Sequence, residues 1–424
     1  MCDNNKIQKL LEDVSQGKNF KIALTVVSKE CLEKRKVTYE IASNSKAFTA
    51  LAILLLDSQG HLNIKDNISE YLPMGWNFKM NGKKVDISIL QLLNHTSGLP
   101  GNTYKFMSSC EKKDSLKSIA EKVINEPIIE EPGSIFKYTT ASYCLLGYLI
   151  ECISGKSYHQ FMEMSIFKPL GLKNTYATLS KAQNMISGTQ RKLWYRKEII
   201  KPYYEFAPAG FLYSTPEDMS KWIKIQLGIS KVSEEFKAII KQSQDELYYA
   251  KTEKNKVYYG FGWYKNIDEN VYYHDGMNPF FSSYVMFSKN IDSGVCILNN
   301  NLSSKTSLIA KKTFKVVKGE KEDSKISKRD KEDKKDLTFK VYLIIEMIIL
   351  IKLLLNLDYL MIVDFLIAIF ISKISVKSFW EYEYWKNIKV WILDSMRYFF
   401  FTTVLLLISL FHLAGNYLVD LVLN

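Results

Sequence analysis

The sequence predicts an α+β domain followed by a segment of three transmembrane helices, and three observations predict it. Short runs rich in β-branched and aromatic residues lead directly into long apolar helical runs. A lysine-rich, mixed-charge stretch then separates two regions of different composition. Beyond it, from about Val341, the chain is mostly Leu, Ile, Phe, Val and Tyr, in stretches long enough to cross a bilayer. The expected divisions of the 424 residues are a folded domain over 1–316, a charged linker over 317–338 and a transmembrane domain over 339–424.

The first twenty residues, "MCDNNKIQKLLEDVSQGKNF", are polar with an apolar stripe and read as a short amphipathic helix. They lack an apolar h-region, so no signal peptide is expected. Residues 20–27 ("FKIALTVV") and 36–41 ("KVTYEI") read as two strands of an abbreviated hairpin. The apolar run from Lys46 to Leu56 reads as a helix that stops at Gly60. Ser43 therefore falls where a strand passes into a helix, and Lys46 lies one turn above it on the same face. A helix N-terminus offers free N–H groups and a field that favours negative charge, which suits a serine oxygen acting as nucleophile. The same S-x-x-K spacing occurs at Ser15, Ser109, Ser134 and Ser165, but none of these combines an entering strand with a long apolar helix.

A net charge of +12 raises nucleic acid as a partner, yet no docking motif for it is present. Residues 311–340 hold twelve Lys and Arg against seven acids and read as a solvated linker beside anionic lipid head groups. The six cysteines form no C-x-x-C pair, so neither a zinc site nor a disulfide framework is indicated, and no cofactor is expected. Cys144 and Cys152 read as buried thiols on similar faces of one helix. The five histidines are dispersed, and no metal site is expected.

Five segments resemble, in order, the serine β-lactamase and penicillin-binding-protein superfamily, in its class C and D-alanyl-D-peptidase branch. These are "IASNSKAFTALAILLL", "LLNHTSGLPG" at 92–101, "EPGSIFKYTTASYCLLGYLIE" at 131–151, "APAGFLYSTPEDMSKW" at 207–222 and "YYHDGMNPFFSSYVMF" at 272–287. The resemblance spans about residues 20–300 and implies an antiparallel sheet flanked by helices plus a helical subdomain. It implies Ser43 as nucleophile, with Lys46 and Tyr138 as the candidate bases, and an oxyanion hole from the backbone N–H groups of Ser43 and Met277. Thr140, His274 and Gly276 fall at positions that bind substrate in the family. His95 reads as structural, its loop shaping the wall of the site. The Asn of the family's Y-x-N segment is Thr140 here, which lacks the separate carbonyl and amide ends of Asn. No E-x-x-L-N segment is present, so efficient β-lactam hydrolysis is not expected.

The expected spans run from about Phe339 to Asn356, Tyr359 to Val376 and Tyr398 to Leu421, the first two forming a tight hairpin. Lys352 and Asp364 fall at similar depth and read as an ion pair, Glu346 has no evident partner, and His412, Asn416 and Asp420 read as a polar seam between helices. Basic residues around the first two spans place the large domain in the cytoplasm by the positive-inside rule, whereas the family implies an extracytoplasmic site. The expected function is a membrane-anchored serine peptidase or amidase acting on a small peptide or acyl-amide, next to a D-residue, through an acyl-enzyme on Ser43. Its architecture resembles membrane peptidases that remove an N-acyl-D-asparagine cap from prodrugs. An esterase, a weak β-lactamase or a silent binder of cell-wall peptide or of a partner are the alternatives. The lipid bilayer is an expected partner, as is a second copy of the chain through the membrane helices.

Overall fold

Seven antiparallel strands form the central sheet in the computed structural model: β1 (Ile22–Val27), β2 (Ala250–Lys251), β3 (Val257–Gly260), β4 (Trp263–Asn266), β5 (Val271–Asn278), β6 (Phe281–Ser288) and β7 (Ser293–Asn299). Their spatial order is β1-β7-β6-β5-β4-β3-β2. The last six strands run as a meander, and β1 closes the sheet against β7 from Ile22↔Asn299 to Val27↔Gly294. The structure describes residues 22–27, 37–101, 115–191, 196–199, 204–303 and 305–320. All the described residues belong to one compact unit, Met1–Glu322. The expected N-terminal helix, most of the linker, the three spans and their polar pairs lie outside the described residues. Among the described residues no helix is long and apolar enough to cross a membrane.

Four helices position the site: α1 (Ser45–Ser58), α2 (Thr140–Ser154), α3 (Pro216–Leu227) and α4 (Lys305–Val317). Helix α1 is buried on every side from Ser45 to Leu56, as a helix apolar all round must be. Phe48 stacks on Trp222 of α3 at 4.2 Å, and Thr49 Oγ1 donates to the Pro208 carbonyl at 2.7 Å. Helix α1 touches both α2 and the short helix Ala207–Gly210. Gly155 and Gly228, both in the left-handed region, end α2 and α3. Thr215 caps α3 by accepting from the Asp218 N–H, with Pro216 as its first residue.

The sheet is covered on both faces. On one face Ile309, Ala310 and Phe314 of α4 pack on Leu24, Val26, Tyr284, Val295 and Ile297. On the other, α3 lies against β1, whose Thr25 hydroxyl donates to the Pro216 carbonyl. The antiparallel sheet with helices agrees with the α+β expectation.

Three local readings are corrected. The segment at Tyr39–Glu40 pairs with Tyr213–Ser214, not with β1, whose six residues all pair with β7. The stretch between the two segments is far longer than a tight hairpin turn, so nothing forces them to pair. The charged run begins inside the folded domain: residues 311–317 belong to α4, with Phe314 buried and Lys311 exposed. Cys144 is buried, but Cys152 is exposed. Eight helical residues advance two turns plus about 80°, which carries Cys152 off the buried face.

Candidate active site

Ser43 sits in a single 3-10 turn, Ala42–Asn44, that joins the Tyr39–Glu40 strand to α1. Ala42 has φ +48°, a region that residues with a β-carbon rarely adopt, and the chain bends sharply there. The bend leaves Ser43 half-buried between Ala42 and Asn44, which are buried. The turn is braced from several sides. Ser45 Oγ donates to the Ala42 carbonyl at 2.7 Å and accepts from the Leu212 N–H at 3.1 Å. Ser283 Oγ of β6 donates to the Ile41 carbonyl at 2.6 Å and accepts from Asn44 Nδ2 at 2.8 Å.

Lys46 is completely buried, and its Nζ lies 3.1 Å from Ser43 Oγ and 2.5 Å from the Ala209 carbonyl, donating to both. Tyr138, just before α2, is half-buried, and the Ser43 hydroxyl is among the polar groups that its phenol faces. The Lys46 amine stands 5.0 Å from the centre of the Tyr138 ring. Two side chains, Lys46 from one helical turn on and Tyr138 from a distant part of the chain, thus converge on the Ser43 hydroxyl. Burial pushes Lys46 down to about 7, against smaller opposing effects of Cys144 and Asp275. Burial, then the neighbouring Tyr264, pushes Tyr138 well above the ordinary phenol range, against the Ser43 hydrogen bond. Near neutrality the amine gives up its proton far more readily than a free lysine, while the phenol keeps its own.

Strand β5 forms the facing wall. Strand β4 pairs with it only at Val271, Tyr272 and Tyr273, so among the described residues β5 is paired from Asp275 to Asn278 on the β6 side alone. Met277 lies in that stretch, directly after Gly276. Gly276 also lies against the nucleophile's turn. A Cβ there would come within 2.2 Å of Ser283 Oγ, 2.8 Å of the Ile41 carbonyl and 3.0 Å of Ala42 Cβ, so the missing side chain admits both the Ser283 hydroxyl and the nucleophile's own turn. Gly262, at φ +83°, does the same between β3 and β4, because its Cβ would lie 2.4 Å from the Ala47 nitrogen at the start of α1.

His274 is 1% exposed, so it does not present a free edge to the cleft. Its Nε2 is 3.2 Å from the Tyr259 hydroxyl and its Nδ1 is 2.6 Å from the Asp275 carbonyl. Burial pushes it down to about 4, partly offset by Asp275 and reinforced by Lys46, so it is uncharged at neutral pH. Its ring lies 6.0 Å from that of Tyr138, making it part of the wall behind the phenol. His95 is fully buried at φ +61°, with its ring 4.4 Å from Tyr138. Its Nδ1 accepts the Thr139 N–H at 3.4 Å. Thr140, half-buried, is the first residue of α2.

The Beta-lactamase family model matches residues 34–317. The chain belongs to the Beta-lactamase family. Members of this family and its superfamily are generally serine hydrolases. Protein flp of Staphylococcus aureus (strain MRSA252) is 32% identical over 283 residues, covering 65% of this chain and 55% of that protein. Penicillin-binding protein 4* of Bacillus subtilis (strain 168) is 36% identical over 154 residues, covering 34% of this chain and 33% of its own. The chain thus spans about half the length, or less, of these curated relatives. The octameric penicillin-binding protein homologue from Pyrococcus abyssi superposes with TM-score 0.64 at 21% identity, over 76% of this chain and 79% of that one. A class C β-lactamase superposes with TM-score 0.60 at 17% identity, over 73% and 95%. At these identities the superpositions show the β-lactamase fold.

Sequence reasoning missed the Ala209 carbonyl, Asn278 and Glu40. The first lay in the A-G pair of the segment at 207–222, where only the fold could reveal a backbone acceptor for Lys46. Glu40 carried a signal, an acid inside the apolar run leading to Ser43.

Proposed function

We propose that this β-lactamase-family chain is a membrane-anchored serine hydrolase, a peptidase or amidase working through an acyl-enzyme on Ser43. The observation that carries the reading is the convergence of Lys46 and Tyr138 on the Ser43 hydroxyl. Lys46, with its affinity for protons lowered to near neutrality, takes the Ser43 proton as Oγ attacks the substrate carbonyl. The oxyanion that forms is held by the backbone N–H groups of Ser43 and Met277. Collapse breaks the C–N bond, and the leaving nitrogen takes a proton from the Tyr138 hydroxyl, which is refilled from Lys46. Water then attacks the ester, gives up a proton to the same pair and releases Ser43.

The apolar composition of 339–424 supports a bilayer anchor for the hydrolase. An amide next to a D-residue is the proposed substrate class. Thr140 favours a second reading, an esterase, because a single hydroxyl serves an ester with no amide N–H as well as it serves an amide. The test is a matched panel: N-acyl peptides ending at D- and L-residues, the corresponding esters, and a penicillin. Cleavage of the acyl-D-peptides, absent in Ser43→Ala, supports the reading. Turnover confined to esters favours the second, and no turnover by folded protein defeats both.

A further inference from the structure

We propose that Glu40 and Asn278 form a buried positioning pair that fixes the Met277 N–H against the Ser43 turn. The inference rests on the Ser43 acyl-enzyme reading and goes one step beyond it. Glu40 stands three residues before Ser43 and is 4% exposed; Asn278 follows Met277 on β5 and is 8% exposed. Asn278 Nδ2 donates one hydrogen to Glu40 Oε1 and the other to the Gly210 carbonyl at 2.6 Å. The neighbouring Ala209 carbonyl is the one that holds Lys46 Nζ. One side-chain amide therefore ties together the strand leading to the nucleophile, the strand carrying the oxyanion donor and the turn that anchors the amine.

The placement explains why a carboxyl is buried where an apolar residue would cost less. Asn278 needs an acceptor on the strand that ends at Ser43, and the Glu40 side chain supplies it. Burial pushes Glu40 up to about 8, partly offset by the Asn278 bond, so at neutral pH it accepts this bond without placing a negative charge beside Lys46. The stretch it braces is the one where, among the described residues, no strand pairs with β5 on the edge away from β6. Oxyanion stabilisation depends on donors held within a few tenths of an ångström of the developing charge, so slack in this stretch slows acylation without weakening first binding. A pair that only held the fold together would alter stability and leave the acylation rate of folded protein unchanged.

The test is fluorophosphonate labelling of the full chain in detergent, read as the maximal rate and the half-saturating probe concentration. Glu40→Met fills the space of the glutamate without its oxygens. It should lower the maximal rate roughly tenfold or more while leaving half-saturation within about twofold. Glu40→Gln keeps an acceptor and should label within about threefold of the parent. A Glu40→Met protein labelling at the parent rate overturns the positioning pair alone, as does a Glu40→Gln protein as slow as Glu40→Met. A parent chain that takes no label on Ser43 overturns both this inference and the function it rests on. Should Glu40→Met fail to fold, Asn278→Ser, too short to span to Glu40, is read by the same criteria.

Discussion

Gly276 and Ala42 approach so closely that a β-carbon on the glycine would lie 3.0 Å from the one Ala42 carries. Strand β5 and the nucleophile turn are therefore in backbone-to-backbone contact, and Ala42 holds its φ of +48° inside that contact. Gly276→Ala should destabilise the domain by about 1–3 kcal/mol and slow acylation of the folded fraction, because the strand must retreat from Ser43. Chemical denaturation together with labelling rates checks both effects. An alanine variant with unchanged stability and rate would show that the contact is slack.

The buried Lys46 amine costs stability in exchange for a usable base. Its proton affinity is depressed in the folded chain, so the unfolded chain binds the proton more strongly, and stability rises with pH from about 7 towards the ordinary lysine range. Lys46→Met should therefore raise the melting temperature at pH 7, by an amount on the order of a few kcal/mol of stability, while abolishing acylation. Calorimetry and labelling on one sample decide it. Loss of both activity and stability would mean that the charged form is the one the fold requires.

Acylation should climb with pH through about 7 as Lys46 loses its proton. Tyr138→Phe should lower the rate yet keep that limb in place, since burial holds the phenol protonated throughout the range. Stopped-flow labelling from pH 5 to 9 measures the profile. A limb that vanishes with the Tyr138 hydroxyl would transfer the role of base to the phenol.

Glu40 imposes the opposite slope on stability. Its carboxyl is held protonated up to about 8, so the folded chain binds the proton more tightly and stability falls as pH rises from the ordinary carboxyl range to about 8. Glu40→Gln should remove this slope, gaining up to about 1.4 kcal/mol per pH unit across that window. Parallel denaturation series at pH 5, 6.5 and 8 show whether the two proteins diverge.

The meeting of strand and helix at Ser43 was legible in the sequence because it is local, and the α+β class came with the family resemblance of the ordered segments. A strand-like run feeding an apolar helix is visible in a window of twenty residues, and the Ser43–Lys46 spacing follows from one helical turn. Tyr138 could be placed only through the ordered segments that resemble a known family, since 92 residues separate it from Lys46. Pairings across the chain were not legible. Tyr39–Glu40 looked like a partner of β1 and instead joins Tyr213–Ser214, because a two-residue strand carries no information about its neighbour. The Ala209 carbonyl and the Asn278 amide stayed hidden for the same reason, as contacts made by tertiary packing. Gly276 was read for its substrate, and its contacts with Ser283, Ile41 and Ala42, made by tertiary packing, stayed hidden as well.

The central claim is that Ser43 becomes acylated with help from Lys46, and mass spectrometry of the labelled protein tests it most directly. Treatment with a fluorophosphonate or a fluorescent penicillin, followed by proteolysis, should place the adduct on the peptide containing Ser43. Ser43→Ala and Lys46→Ala should take none. An adduct on any other residue, or an equal yield from Lys46→Ala, would contradict the account.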